Sequence, residues 1–240
     1  MKSPTILVET KDMLVLNKPA GLIVHSDGRT VEPSVAEWIA EYYPALRDVG
    51  KPWVSPQGES VRVCGLVHRL DRTTSGVLVA AKTPQIFAYL KAEFKARRVE
   101  KKYHALVYGK MEGKSGRVVA EIVRTSERPR RWAARLCDEN DVRAAITEWR
   151  VLKALESTGG PISYLELSPQ TGRTHQLRVH MASIGHPIIS DHLYAPDKPA
   201  LFGFTRPALH AYSISFVLND EKQTFIASLP QDFQTIIDGV

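Results

Sequence analysis

Cysteine is scarce in this chain of 240 residues, since only Cys64 and Cys137 occur and they form no CxxC spacing. Two distant thiols exclude a disulfide-rich secreted scaffold, so we expect reduced thiols in a cytoplasmic protein. His175 and His180 are five residues apart, which is the wrong interval for one helix face, and no acidic residue stands at metal-ligand spacing. The sequence therefore predicts no metal site.

Long apolar runs and nucleotide-binding loops are also missing. The first apolar segment is interrupted by Glu9, Lys11 and Asp12, too early for a signal-peptide core. No uncharged run approaches the ~20 residues that cross a bilayer, so we predict no membrane association. The chain has no Walker or Rossmann glycine pattern and no RRM, KH or zinc-finger signature. Internal repeats and low-complexity tracts are absent as well.

Positive charge is in excess. The chain has 32 Lys and Arg against 26 Asp and Glu, a net charge of +6 and a pI near 9.3, while 43% hydrophobic residues indicate a globular core. Two basic clusters, at 91–104 and 124–136, interleave cations with Tyr103 and Trp132. Binding of nucleic acid requires that mixture, because cations pair with phosphates and aromatic rings stack on bases. The alternative is that both clusters are ordinary charged surface exposed to solvent. We expect a nucleic-acid partner.

Strand patterns outnumber helix patterns along the chain. Helical spacing and start signals predict helices in "PSVAEWIAEYYPAL", "TPQIFAYLKAEF" and "QLRVHMASIG", and an exposed loop is predicted over 47–60. Adjacent strands follow one another as hairpins, beginning with "TILVE" and "MLVLNKP", and "GLIVH" is read as a further strand. The pattern favours an α+β fold with a mixed, largely antiparallel central sheet and flanking helices, in a single domain over 1–240.

The stretch "VHRLDRTTSGVLVAAK" places Asp71 between Arg69 and Arg72, before a tight turn and an apolar strand. A carboxylate held ionised by a guanidinium at the mouth of a sheet suits a nucleophile. The plain alternative is a surface carboxylate that balances its neighbours. The arginine could be either neighbour or one brought in by the fold.

A second group of arginines lies in "TGRTHQLRVH", at Arg173 and Arg178. A helix start with Gly, Thr and Arg is a plausible anion site, and a solvated basic face is the alternative.

Four blocks together resemble the RluA family of RNA pseudouridine synthases. "HRLDRTTSGVLVAAK" resembles the family signature, and three further blocks follow the family's order: "LNKPAGLIVH" (16–25), "EKKYHALVYG" (100–109) and "TGRTHQLRVHMASIGHPIISDHLYA" (171–195). The resemblance implies a pseudouridine synthase-like fold with a catalytic cleft. It implies an isomerisation in which the glycosidic bond of uridine breaks, the base rotates and C5 is rejoined to the sugar, with no cofactor and no metal.

The resemblance also assigns roles. Asp71 is expected to be the nucleophile, or the base that starts glycal formation; Tyr103 to stack on the uracil; and Arg178 to pair with Asp71. Arg69 is expected to fill the space left by a flipped nucleotide, and Leu70 and Val77 are expected to wall the uracil pocket. The expected RNA-binding residues are Arg69, Arg72, Lys101, Lys102, Arg130, Arg131 and Arg173.

The expected substrate is tRNA or ribosomal RNA, and the expected state is a monomer. Two departures from the family pattern stand out: no amino-terminal S4-type RNA-binding domain is recognised, and Ser190 replaces an expected glycine, with a mild change of loop geometry. Two other functions stay open. One is a catalytically idle RNA-binding factor on the same fold, and the other is an Asp/His hydrolase that would depend on His68 or His175.

Overall fold

The structure is a computed structural model that describes residues 3–26, 32–55, 58–126 and 131–238. The chain forms two compact units. The first unit comprises residues 1–99 and 213–227, and the second comprises residues 100–212 and 228–240. The single domain expected from the sequence stays a prediction.

The first unit is built on three adjacent antiparallel strands. Its elements, in chain order, are β1 (Thr5–Glu9), β2 (Met13–Lys18), α1 (Val35–Tyr42), a 3-10 turn (Pro44–Leu46), β3 (Trp53–Val54), β4 (Ser60–Val61), β5 (Ser75–Ala81) and α2 (Pro84–Lys95). Strand β2 pairs with β1 on one side and with β5 on the other, so the predicted hairpin and the strand after Asp71 are confirmed.

The second unit is built on a longer antiparallel sheet. Its elements, in chain order, are β6 (Glu100–Tyr108), β7 (Ser115–Arg124), β8 (Trp132–Leu136), β9 (Ala144–Ser157), β10 (Gly160–Pro169) and α3 (Gln176–Ser183). The chain continues with β11 (Leu209–Leu218), β12 (Glu221–Ile226) and α4 (Gln231–Asp238). The strands β6-β10-β9-β7-β8 lie in that order, and β11 pairs with β12 in the first unit.

Side-chain caps explain where the first helices begin. The Glu37 backbone N–H donates to Ser34 Oγ (3.1 Å) and the Ser34 N–H donates to Glu37 Oε2 (2.9 Å), a complete capping box for α1. Helix α2 starts with Thr83, whose Oγ1 accepts from Ile86 N, and with Pro84 in its first turn. Both helices lie where the sequence predicts them.

Four segments differ from the sequence-based expectations. "GLIVH" is not a strand, because Ile23 makes only a single bridge with Ser34 and the Leu22 carbonyl accepts from a lysine side chain. The 47–60 loop contains the β3–β4 hairpin, and the basic 124–136 segment contains β8. Helix α4 was not expected; its Phe233 and Ile236 are buried.

Each unit has its own buried apolar residues. Every residue of β5 is buried, and Leu14, Leu16 and Leu78 are fully inaccessible in the first unit. In the second unit one cluster joins the sheet to α3 and α4; it includes Leu106, Leu165, Leu177, Met181 and Phe233. Within the described residues, no helix is both long and apolar enough to span a bilayer.

The predicted α+β class with a mixed, largely antiparallel sheet is confirmed, because β-hairpins carry most of the connections and helices are few.

Candidate active site

Asp71 lies in a tight turn directly before β5. The Thr74 backbone N–H donates to the Asp71 carbonyl (3.1 Å), which closes the turn. The Asp71 side chain is half-buried, while Leu70 and Val77 are buried at 5% and 2% exposure. The backbone that carries the Asp71 carboxylate is therefore held in a fixed position, because the strand that follows is buried along its whole length.

Lys18 is hydrogen-bonded to this turn. Its side chain is fully buried, and its Nζ donates to the carbonyl oxygens of Arg72 (3.2 Å), Leu22 (2.8 Å) and Pro19 (3.0 Å). The backbone N–H of Gly21 also donates to the Arg72 carbonyl (2.8 Å). The "LNKPAG" segment is thus hydrogen-bonded to Arg72, the residue that follows Asp71.

The two arginines beside Asp71 differ in their surroundings. The Arg72 guanidinium pairs with Glu32 (Nη1–Oε2 2.6 Å) at a half-exposed position. The Arg69 side chain is exposed.

Arg178 is held in a buried ion pair of the second unit. It lies on α3 with 7% exposure, and it donates to Asp191 through Nε (2.7 Å) and Nη2 (2.8 Å). Asp191 is fully buried, and its Oδ1 also accepts from the backbone N–H groups of Leu193 (3.1 Å) and Tyr194 (3.2 Å). A bidentate pair of this kind fixes the plane of the guanidinium. The Tyr194 ring lies 5.0 Å from Arg178 Cζ.

Gln176 organises the loop in front of α3. Its Oε1 accepts from Thr171 Oγ1 (2.7 Å) and from the Arg173 backbone N–H (3.0 Å). Its Nε2 donates to the Ile146 carbonyl and to Thr147 Oγ1, each at 3.0 Å. A buried amide with all these bonds satisfied ties the "TGRTHQ" loop to β9. The sequence-predicted helix start is therefore real, and Gln176 holds it in place.

Tyr103 lies on β6 opposite Leu167 and is half-buried against the core of the second unit. Lys101, two residues earlier on the same face of the strand, donates from Nζ to the Thr171 carbonyl (3.3 Å). Lys102 is on the opposite face and pairs with Glu166 (3.4 Å). The sequence blocks at 100–109 and 171–195 therefore meet at Lys101.

Strand β8, in the basic 124–136 segment, contacts Tyr194 in the loop that follows α3. Arg131 is exposed directly before β8, and its backbone is hydrogen-bonded to Thr125, which follows β7. The next N–H, of Trp132, donates to Tyr194 Oη (3.3 Å). Arg173 is also exposed. Arg130 lies outside the described residues.

Four histidines in or near the quoted motifs are engaged within the protein. Burial lowers the pKa of His104 and of His180 to about 4, so both are neutral at physiological pH. His68 Nε2 accepts from the Val79 backbone N–H (3.0 Å), and its ring stacks on Phe94. His175 Nδ1 lies 2.9 Å from Tyr194 Oη, and its backbone has a φ of 54°.

The structure brings Tyr103, Arg178, Lys101 and Arg131 into the second unit and Asp71 into the first, so the approach of Asp71 to Arg178 stays a prediction. Sequence reasoning missed three positions that fix the site: Asp191, Tyr194 and Gln176. All three lie inside the quoted fourth block, where a polar Gln within a helix and an Asp-x-x-Tyr run were available signals.

No group of three or more His, Cys, Asp or Glu side chains that could hold a metal ion is found in the described part of the chain.

A family model described as RNA pseudouridylate synthase matches residues 12–183, a range that contains Asp71, Tyr103 and Arg178. The dual-specificity RNA pseudouridine synthase RluA of Vibrio cholerae is 35% identical over 213 residues, which cover 88% of this chain and 76% of that protein. The chain belongs to the RluA family of RNA pseudouridine synthases. It is therefore an isomerase that acts on RNA.

Other RluA-family pseudouridine synthases are similar over nearly the full chain. Ribosomal large subunit pseudouridine synthase D of Zymomonas mobilis is 34% identical over 239 residues, covering 96% of this chain and 71% of that protein. Among solved structures, human RNA pseudouridylate synthase domain containing 4 has a TM-score of 0.71 and 25% identity, covering 97% of this chain and 91% of that one. The α+β fold and the family assignment therefore agree.

Proposed function

We propose that this pseudouridine synthase isomerises specific uridines in tRNA or ribosomal RNA, with Asp71 as the nucleophile and with the target base flipped out of the RNA. The observation that carries the proposal is the family match over residues 12–183, because it spans the Asp71 turn, Tyr103 and Arg178 together. The names of two relatives support the substrate class, since one is a ribosomal large subunit enzyme and the other a dual-specificity RNA enzyme.

The reaction needs no net input. The N1–C1′ bond breaks, the base rotates, and a C5–C1′ bond forms; the proton lost from C5 is balanced by the proton gained at N1. Asp71 starts this sequence either by attack on the sugar or by removal of a sugar proton to give a glycal. In both routes the carboxylate must be ionised, and a guanidinium beside it favours that form.

Arg178 is the proposed partner of Asp71. Its Nε and Nη2 groups bind Asp191, so we expect the Nη1 edge to face the catalytic carboxylate. Because Asp191 holds the guanidinium rigid, little rotamer entropy is lost when Arg178 binds a second carboxylate. Tyr103 is expected to stack on the uracil and to assist loss of the C5 proton through its hydroxyl group.

Base flipping costs a few kcal/mol of stacking. We propose that Arg69, whose planar guanidinium is exposed on the turn, fills the vacated space and recovers part of that cost. Leu70 and Val77 are proposed to wall the uracil pocket. The exposed Arg131 and Arg173 are proposed to bind phosphates, and Arg72, Lys101, Lys102 and Arg130 are proposed to add to the same basic surface.

The experiment is tritium release from RNA labelled with [5-³H]uridine. Asp71→Asn keeps the size of the side chain and removes its nucleophilic oxygen pair, so we expect folding and RNA affinity near wild type and turnover reduced by at least ~10⁴-fold. The matched control is Asp12→Asn, which changes another half-buried aspartate of the first unit and should leave turnover unaltered.

Appreciable turnover by Asp71→Asn would remove the nucleophile assignment. A wild-type protein that binds RNA and releases no tritium would instead be the catalytically idle RNA-binding factor. Mapping pseudouridine in cellular RNA from a strain that lacks the protein then identifies the modified nucleotide.

A further inference from the structure

The first unit contains a pocket of about 830 Å³ that lies outside the proposed uracil site. One wall is the face of α2 that presents Pro84, Phe87, Ala88 and Lys91, which recur at helical spacing. The opposite wall comprises Asp48, residues 50–53, Val63 and residues 66–69. Asp71, Leu70 and Val77 do not line it, whereas Arg69 does.

Close packing fixes the shape of this pocket. The backbone of Gly50 has a φ of 93°, and a Cβ there would come within 2.6 Å of both the Phe87 ring and Val63. Glycine is therefore required for the segment to approach α2 so closely. Beside it, the rings of Trp53 and His25 lie 5.9 Å apart and are tilted by 58°. The interior is thus aromatic and largely apolar.

The rim of the pocket is cationic. Lys51, Arg69 and Lys91 are exposed and line it, whereas Asp48, the one carboxylate among its described lining residues, has Oδ1 3.8 Å from Arg62 Nε. The cations act on the interior as well: burial lowers the pKa of His25, and the charges of Arg69 and Lys91 lower it further.

These features together select one kind of occupant. An aromatic slot takes the face of a nucleobase, and cations at its edge take the phosphates on either side. The volume lies within the roughly 300–1,000 Å³ of ligand pockets. An apolar peptide would fit the interior but would gain nothing from three exposed cations.

Position along the chain connects the pocket to catalysis. Arg69 and Asp71 are two residues apart, so their Cα atoms are separated by at most about 7 Å. That is the length of about two stacked nucleotides. We propose that the pocket binds a second, unpaired nucleotide of the RNA substrate, near the uridine that is modified, with its base against Trp53 and Phe87 and its phosphates on Lys51 and Lys91. The inference rests on the proposed function.

The decisive comparison uses two lysines of one helix. Lys91→Glu and Lys95→Glu make the same change of charge on exposed positions of α2, but only Lys91 lines the pocket. The probes are fluorescein-labelled total tRNA and fragmented ribosomal RNA, titrated with the full chain at one fixed ionic strength. We expect Lys91→Glu to weaken binding about fivefold more than Lys95→Glu and to lower the salt slope by about one.

The aromatic wall has its own variants. Trp53→Ala should weaken binding about tenfold, because base stacking on an aromatic ring is lost, while Trp53→Phe should stay within about threefold of wild type. The KM in the tritium-release assay should rise in parallel with the Kd. Circular dichroism and thermal melting check folding, and if Trp53→Ala does not fold, the lysine pair decides alone.

Equal effects of Lys91→Glu and Lys95→Glu would overturn the pocket proposal, as would a folded Trp53→Ala with wild-type affinity. Neither result touches the proposed function, which depends on tritium release by the wild type. Conversely, a wild type that binds RNA without releasing tritium fails the catalytic proposal while the affinity differences still report on the pocket.

Discussion

Ser190 occupies a backbone conformation that suits glycine. Its φ is 56°, in the left-handed region, and the side chain is buried at 4% exposure. Its backbone N–H donates to Tyr108 Oη (3.2 Å), whereas its Oγ has no hydrogen-bond partner among the described residues. Serine in place of glycine therefore strains the backbone at this position. The strained residue is next to Asp191, which fixes Arg178.

Ser190→Gly should stabilise the protein. Relief of the left-handed strain contributes about 1–2 kcal/mol, and removal of a buried hydroxyl without a partner adds to it. The greater freedom of glycine in the unfolded chain offsets about 0.5–1 kcal/mol. We expect a net gain of about 1–2 kcal/mol in the free energy of unfolding, measured by urea denaturation.

Ser190→Ala is the matched control, since it removes the hydroxyl and retains the strain. Its gain should be smaller than that of Ser190→Gly. A glycine variant that is less stable than wild type would show that the loop tolerates serine without strain.

Helix α3 and the loop that follows it act as one element because Asp191 bonds to both. The Arg178–Asp191 pair joins the helix to the loop, and two loop N–H groups end on the same carboxylate. Removing one partner of a buried pair leaves a charge without compensation, which is far costlier than the pair's net contribution to stability.

Asp191→Asn should therefore lower the free energy of unfolding by about 3–5 kcal/mol. It should also reduce kcat, because the Arg178 guanidinium loses its fixed plane. Chemical denaturation and single-turnover tritium release measure the two effects, and Asp197→Asn, an exposed aspartate, is the control. Wild-type stability and kcat in the Asp191 variant would contradict the positioning role.

The helices could be predicted from the sequence because the signals that start them are local. Ser34 with Glu37, and Thr83 with Pro84, mark helix starts within a few residues of the apolar spacing that follows. The β8 strand was hidden because its five residues stand within a basic run, and only pairing with β7 makes them a strand. The strand predicted for "GLIVH" does not form. Lys18 donates a hydrogen bond to the Leu22 carbonyl, which a neighbouring strand would otherwise use.

The residues of the candidate site could be predicted from sequence motifs, but their contacts could not. Asp71, Tyr103 and Arg178 were named from their blocks, whereas the pairing of Arg178 with Asp191 depends on how the chain turns after α3. The spacing of 13 residues between them carries no helical or strand periodicity that would predict contact.

At the scale of the whole molecule, buried neutral histidines make stability depend on pH. His104 and His180 have a pKa of about 4 in the folded protein, against about 6.5 when unfolded. The unfolded chain therefore binds more protons between these values. The contribution of the two neutral histidines to the free energy of unfolding is complete above about pH 6.5 and is lost as the pH falls toward 4. The hydrogen bond from Arg98 lowers the pKa of Glu93, so acid also removes the stability that this carboxylate contributes.

Lowering the pH from 7 to 5 should reduce the free energy of unfolding by about 2 kcal/mol for each of the two histidines. Urea denaturation at the two pH values measures the change. His180→Leu should remove about half of the difference, and His192→Gln, at an exposed position, should leave it intact. Equal stability of the wild type at both pH values would contradict the assignment of two buried neutral imidazoles.

Strand β11 begins among residues of the second unit and continues as Ser213–Leu218 into the first. The first unit thus draws its last strands from a part of the chain made long after its other residues. During synthesis, at about 5–20 residues per second, the nascent Asp71 turn and its β2–β5 sheet must wait several seconds for their closing strands while β6 to β10 emerge. A ribosome-bound chain halted before residue 213 would accordingly present an unfinished first unit to chaperones and proteases.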